Sequence, residues 1–252
     1  MIRIEIKNII KNPALYISIF IMWAALYFGI YQERSSDILY LFENTTTIGI
    51  VHLLLPALVV LPYAAICAEE INSNYYRYTV IRSDAKKYIS SRILASIISA
   101  VLVCLAAEIL FVMVFMIFQS GYIGEGIYSE ALNGTFYEVF YEKHEYIVPL
   151  ICKMYAFSIC GIIWSLFALV LSCFTGNKYV VAAGPFLAQT AFSFFSELFG
   201  LHLLNPGLLL IKGPIHGLIY GGLIHVTLYQ IYGIVILGSI VWIIMSRRIK
   251  NG

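Results

Sequence analysis

The chain has 252 residues, 61% of them hydrophobic and only 12% charged. A soluble domain carries about one quarter charged residues, and a soluble protein of this length still has a large surface to solvate, so this composition excludes a soluble globular fold. A net charge of +2 excludes a nucleic-acid partner held by bulk electrostatics.

The missing surface charge must face lipid, which makes one membrane domain of the chain, residues 1–252. Residues 1–13, MIRIEIKNIIKNP, mix charges with apolar residues and lack a small-residue cleavage site, so they are not a cleavable signal peptide. On a helix, Ile2, Ile6, Ile9 and Ile10 share one face and Arg3, Lys7 and Lys11 another. This pattern predicts a helix lying in the interface plane, its basic face toward anionic lipid. Asn12-Pro13 then breaks it and turns the chain into the membrane.

Six apolar stretches follow, at 14–31, 46–67, 93–118, 147–173, 179–196 and 225–246, each with about the 20 residues a bilayer needs. Pro56 and Pro62 kink the second. The predicted fold is an all-α integral membrane protein of six transmembrane helices, preceded by the amphipathic interfacial helix. Segment 197–224 is apolar but broken by Asn205-Pro206-Gly207, Gly213-Pro214 and Gly221-Gly222. It reads either as an outer loop resting on the bundle or as a re-entrant pair of half-helices; the expectation is the re-entrant pair, which needs cover from protein or a wet cavity.

Lys and Arg fix the orientation. Arg3, Lys7, Lys11, Arg77, Arg82, Lys86, Lys87, Arg92, Lys178, Arg247, Arg248 and Lys250 fall in one set of loops, against Arg34, Lys143 and Lys212 in the other. The first set is therefore expected in the cytoplasm, with both termini. The five cysteines, Cys67, Cys104, Cys152, Cys160 and Cys173, lie in apolar stretches without metal-ligand spacing and read as small buried hydrophobes.

No G-x-x-x-x-G-K-[ST] loop, HExxH or GxSxG motif is present. Energy for any work must come from a gradient or a partner. The most informative stretch is the loop at 68–92. It opens with Glu69-Glu70, holds Tyr75, Tyr76 and Tyr78 among Arg77, Arg82, Asp84, Lys86 and Lys87, and closes with Arg92. A plain turn needs about five residues. A long, aromatic, two-signed loop suits a short helix against another protein, aromatics filling a pocket and charges fixing register; it equally suits a basic loop on anionic headgroups.

This layout resembles a permease subunit of the type-2 ABC transporter (ABC-2) family. The matching features are the six spans, the basic helix at 1–13, the broken half-helices before the last span, and the 68–92 loop with its acidic opening, Arg/Tyr-rich helix and Lys/Arg close. The loop has Asn72, Ser73 and Asn74 where the family often has a Gly after the acidic residue. The resemblance implies that 1–13 is a connecting helix and 72–83 a coupling helix. Glu69, Glu70, Tyr75, Arg77, Tyr78, Arg82 and Asp84 would then couple to a separate ATPase subunit. It further implies no catalysis and no cofactor in this chain, ATP and Mg in the partner ATPase, a second permease copy or a related subunit, and a multi-pass location in the cell membrane, most commonly bacterial.

Two charges lie within spans. Glu108 is about 15 Å and Lys153 about 10 Å from the outer end at the helical rise. A lone intramembrane charge costs at least about 2.5–3.5 kcal/mol, so partners are expected. The two read as an ion pair, with Lys153 alternatively snorkelling outward, or Glu108 faces a wet substrate path or a subunit interface. Gln189 and His52 are weaker candidates of the same kind, explained as well by a hydrogen-bonded helix contact. The outer loop, 119–146, carries Tyr, Phe and Glu and reads as an interfacial aromatic belt or as an acidic external cap favouring cationic substrates.

Two other function classes stand beside transport. A Glu-Glu pair near a span end is similar to the EExxxR motif of CAAX-type intramembrane proteases, but Arg77 lies too far on, and His202, His216 and His225 are poorly placed. An energy-independent membrane sensor or immunity protein would bind peptide on its outer surface. Within the transport reading, peptide or antimicrobial efflux is the expected cargo class.

Overall fold

A computed structural model describes residues 1–29, 37–47, 50–73, 75–82, 84–118, 140, 143–200 and 221–251. Its elements are all helices: α1 (Ile2–Lys11), α2 (Pro13–Gly29), α3 (Ile38–Thr47), α4 (Val51–Leu58), α5 (Ala64–Asn72), α6 (Tyr75–Arg82), α7 (Ala85–Phe118), α8 (Ile147–Phe174), α9 (Lys178–Leu198) and α10 (Gly221–Asn251).

Several helix starts share one local cause. Asn12 accepts the Ala14 N–H at 3.0 Å, Asp37 that of Leu39 at 3.0 Å, Asp84 that of Lys86 at 3.3 Å, and Asn177 that of Tyr179 at 3.0 Å. In each case a short side-chain oxygen satisfies one of the free N–H groups of a first turn. Asn12 also turns the chain: α1 and α2 meet at 61°.

The sequence predicts six spans, and this is corrected. Among the described residues three helices are long and apolar enough to cross a membrane, α7, α8 and 230–250 of α10, or four if α1 and α2 count as one bent span. The reasons are local. The predicted second span, 46–67, divides into parts of α3, then α4 and α5, with a turn at 59–63 that follows Pro56 and contains Pro62. Helix α2 stops after 17 residues. Helix α9 has 21 residues, but Gln189, Thr190, Ser193 and Ser196 dilute its apolar character. The re-entrant prediction at 197–224 falls mostly on 201–220, outside the described residues; the end of α9 and the start of α10 extend into its two ends. Most of the 119–146 loop lies outside them as well.

Helix α8 is the axis of the bundle. Of its most apolar 18 residues 78% are buried, against 33% for α7 and 17% for α10, so the latter two keep broad apolar sides facing outward. Helices α7, α10, α5, α9 and α4 pack around it. Between α7 and α8 the contact is close because small residues line it. Ser96 and Ser165 hydroxyls meet at 2.8 Å, and a Cβ on Gly161 would lie 2.8 Å from Cys104 Sγ. Small faces of this kind let membrane helices approach and gain dispersion contacts. Outward from there Phe42 of α3 contacts Phe111 and Phe157, with centroids 6.1 and 6.4 Å apart. The outer surface is apolar too: Phe20, Phe28, Ile117, Phe194 and Ile243 are exposed. A soluble protein does not expose such a belt, and a membrane-embedded one requires it.

Proline chemistry links α4 to α9. Pro56 has no N–H, so the carbonyl of His52, four residues earlier, loses its helical donor. Gln189 Nε2 supplies one instead, at 2.6 Å. The hydrogen-bonded helix contact, one of the two readings of Gln189 and His52, is what forms.

Candidate functional site

Helix α6 occupies the place where the sequence predicts a coupling helix, and its two sides differ. Tyr76 is buried and Val80 packs on the core, while Tyr75, Tyr78 and Ile81 are 57%, 68% and 83% exposed. Spacing explains this: 76 and 80 are one turn apart on one side, and 75, 78 and 81 run along the other. Arg77 and Arg82 belong to α6, but their side chains lie outside the described residues. Asp84, grouped with them in the sequence, caps α7 instead.

The inner side of α6 is fastened to the bundle. The Arg248 guanidinium lies 5.6 Å over the Tyr76 ring, and its Nη1 donates to the Cys173 carbonyl at 2.9 Å. Arg248 therefore closes the C-terminus of α8, where a cation is favoured, and touches α6 with the same group. Glu69 pairs with Lys178 at 2.7 Å, joining the end of α5 to the start of α9. That hydrogen bond raises the Lys178 pKa, and as an exposed pair it adds little stability. Beside it, Gly176 admits Asn72 so closely that a Cβ would meet the Asn72 side chain at 2.6 Å.

Glu70 belongs to a buried charge cluster. Arg92, 3% exposed, bonds Glu70 through Nη2 and Glu5 of α1 through Nη1 at 3.4 Å. Arg92 Nη1 also donates to the Tyr63 hydroxyl at 3.2 Å and lies 3.6 Å from Cys67 Sγ, and Tyr63 donates to Glu5 at 3.2 Å. The guanidinium lies 5.0 Å over the Tyr88 ring and 5.9 Å over that of Tyr63. Burial pushes the Glu70 carboxyl up, and the neighbouring Arg92 charge opposes that rise. One planar cation thus ties α1, the 59–63 turn, α5 and α7 together. Asn12 adds a second tie, its Nδ2 donating to the Pro62 carbonyl at 2.8 Å.

The sequence pattern assigned no site role to Glu5, Tyr63 or Tyr88, read Asn12 only as a break, and counted Arg248 only as a basic residue of the orientation set. Glu5 is the clearest case. The predicted apolar face was Ile2, Ile6, Ile9 and Ile10; the buried residues of α1 are Glu5 and Ile9, and Ile10 is exposed. An acid one turn before a buried Ile was the available signal that a cation waited opposite.

The expected Glu108–Lys153 pair is not formed as a hydrogen-bonded bridge. Glu108 is 0% exposed, and among the described residues neither of its oxygens has a hydrogen-bond partner. Cys104, one turn earlier, and Phe111, one turn later, are also fully buried. Lys153 is half-buried on α8. All five cysteines carry free thiols, four of them buried. Glu69 and Glu70 are engaged by Lys178 and Arg92, and His202 and His216 lie outside the described residues, so the protease reading gains no geometry.

No protein-family model matches the chain, and neither curated proteins nor solved structures give a match.

Proposed function

We propose that the chain is a permease subunit of an ATP-driven exporter of the ABC-2 type, and that α6 is the surface on which a separate ATPase subunit docks. One observation carries the reading. Helix α6 is fixed to the bundle by Tyr76 and Val80 and turns Tyr75, Tyr78 and Ile81 outward, at the end of the bundle that gathers Arg92, Lys178 and Arg248. Aromatic and aliphatic residues displayed outside the apolar belt mark a protein contact.

The division of labour follows from the sequence. The chain has no phosphate-cradling loop, so ATP and Mg belong to the partner. Closure of two ATPase subunits on ATP would push α6, and two permease copies would rock against each other. The basic end, both termini included, faces the cytoplasm by the distribution of Lys and Arg. The cargo class this reading favours is a peptide or antimicrobial.

The test is co-expression with an ABC ATPase encoded beside this gene, followed by co-purification and ATP hydrolysis. Tyr78→Ala and Ile81→Ala are expected to reduce both. Unchanged assembly together with unchanged hydrolysis would remove α6 from the docking role.

A further inference from the structure

Docking alone does not explain why α1 carries a buried acid. Glu5 is 6% exposed, on a helix whose Arg3, Lys7 and Lys11 are all exposed. A helix meant only to rest on the interface would bury isoleucines. Turning a carboxylate inward is costly unless it meets a cation, and the cation it meets is one that also holds Glu70, two residues from the end of α5.

We propose that Glu5 is a positioning residue for α6: through Arg92 and Glu70 it holds the α5–α6 corner, so that the interfacial helix α1 and the docking helix α6 move as one body. Three separate ties support this. Glu5 accepts from Arg92 Nη1 at 3.4 Å and from the Tyr63 hydroxyl at 3.2 Å, and Asn12 donates to the Pro62 carbonyl at 2.8 Å. The contacts of Glu5 and of Asn12, the residue that ends α1, both fall on the 59–63 turn between α4 and α5. They fix this turn to the first helix, while α5 and α6 keep their own contacts with the bundle. The arrangement gives the membrane surface a mechanical route to the docking site: a displacement of α6 tilts α1 in the headgroup layer, and a displacement of α1 reaches α6.

The purpose of the coupling rests on the reading of α6 given above, but its existence can be measured on this chain alone. Spin labels at Asn8→Cys and Tyr78→Cys, in a Cys152→Ser background and in lipid nanodiscs, report the α1–α6 distance distribution. The native side chains should give one narrow peak. Glu5→Gln, which keeps the shape and removes the charge, should lose that peak to a broad distribution, and Tyr63→Phe should broaden it partly. If Glu5→Gln does not fold, Tyr63→Phe decides. A peak unchanged in width in the folded variants would overturn the proposal. Failure of the ATPase to co-purify would leave this result standing and would instead overturn the docking reading. In an assembled complex, Glu5→Gln should retain the ATPase and lose stimulation of its hydrolysis by reconstitution with the permease, an effect that a purely structural loss of the permease would not separate from assembly.

Discussion

Arg92 and Glu5 approach to 3.4 Å across a separation of 87 residues, both nearly closed to solvent. Their meeting joins the first helix of the chain to the start of its longest one.

Breaking that cluster from the cationic side is expected to be expensive. Arg92→Met leaves the buried Glu5 and the half-buried Glu70 carboxylates without their cation, a loss of about 3–5 kcal/mol. Arg92→Lys should recover only part of it, because an ammonium cannot present the planar fork that serves both carboxylates. Arg92→Met combined with Glu5→Met and Glu70→Met should recover most. Thermal unfolding in detergent reads the series; equal stability of Arg92→Met and the native chain would mean that the charges are not buried together.

The proline–glutamine contact predicts a non-additive pair. Gln189→Leu should cost about 0.6–1.7 kcal/mol by removing the Nε2 donor to the His52 carbonyl. Pro56→Ala returns an N–H to the helix, so Gln189→Leu should cost less in that background. A double-mutant cycle of melting temperatures measures the difference; strictly additive shifts would contradict the link.

At the α7–α8 contact, Gly161→Ala places a methyl 2.8 Å from Cys104 Sγ and 3.3 Å from Val59. Overpacking of this kind costs about 1–3 kcal/mol. Cys104→Ala should restore much of the loss, and no rescue would show that another contact is limiting.

Glu108 should behave in the opposite sense. Among the described residues neither of its oxygens has a hydrogen-bond partner, and such a group costs about 1–3 kcal/mol. Glu108→Met should therefore raise the melting temperature. A lowered one would show that the carboxyl has a partner inside the bundle.

Some of this architecture was legible in the residues, and the boundary is physical. The break at Asn12-Pro13, the long apolar runs of α7 and α8, and a short helix within 68–92 follow from local composition; the caps by Asp84 and Asn177 went unread. The division of the 46–67 stretch was only half legible: Pro56 and Pro62 signalled a kink, but whether a kinked helix stays continuous depends on which neighbours take up a freed carbonyl, here Gln189 for that of His52, and on what holds the turn, here Asn12 at the Pro62 carbonyl. The charge cluster was not legible, because Glu5, Tyr63, Glu70 and Arg92 converge only through tertiary packing. Partners of Glu108 and Lys153 were not legible for the same reason: similar depth on two helices does not by itself bring two side chains together.

The docking role proposed for α6 is tested most directly by a photoreactive benzophenone amino acid in place of Tyr78, in living cells that co-express the chain with an ABC ATPase taken as the proposed partner. The expected product is a single cross-linked species in which mass spectrometry finds peptides of that ATPase, absent when the photoreactive residue replaces the buried Tyr76. Cross-links to lipid alone, or labelling of a Tyr78→Cys variant by a membrane-impermeant maleimide from outside intact cells, would contradict it.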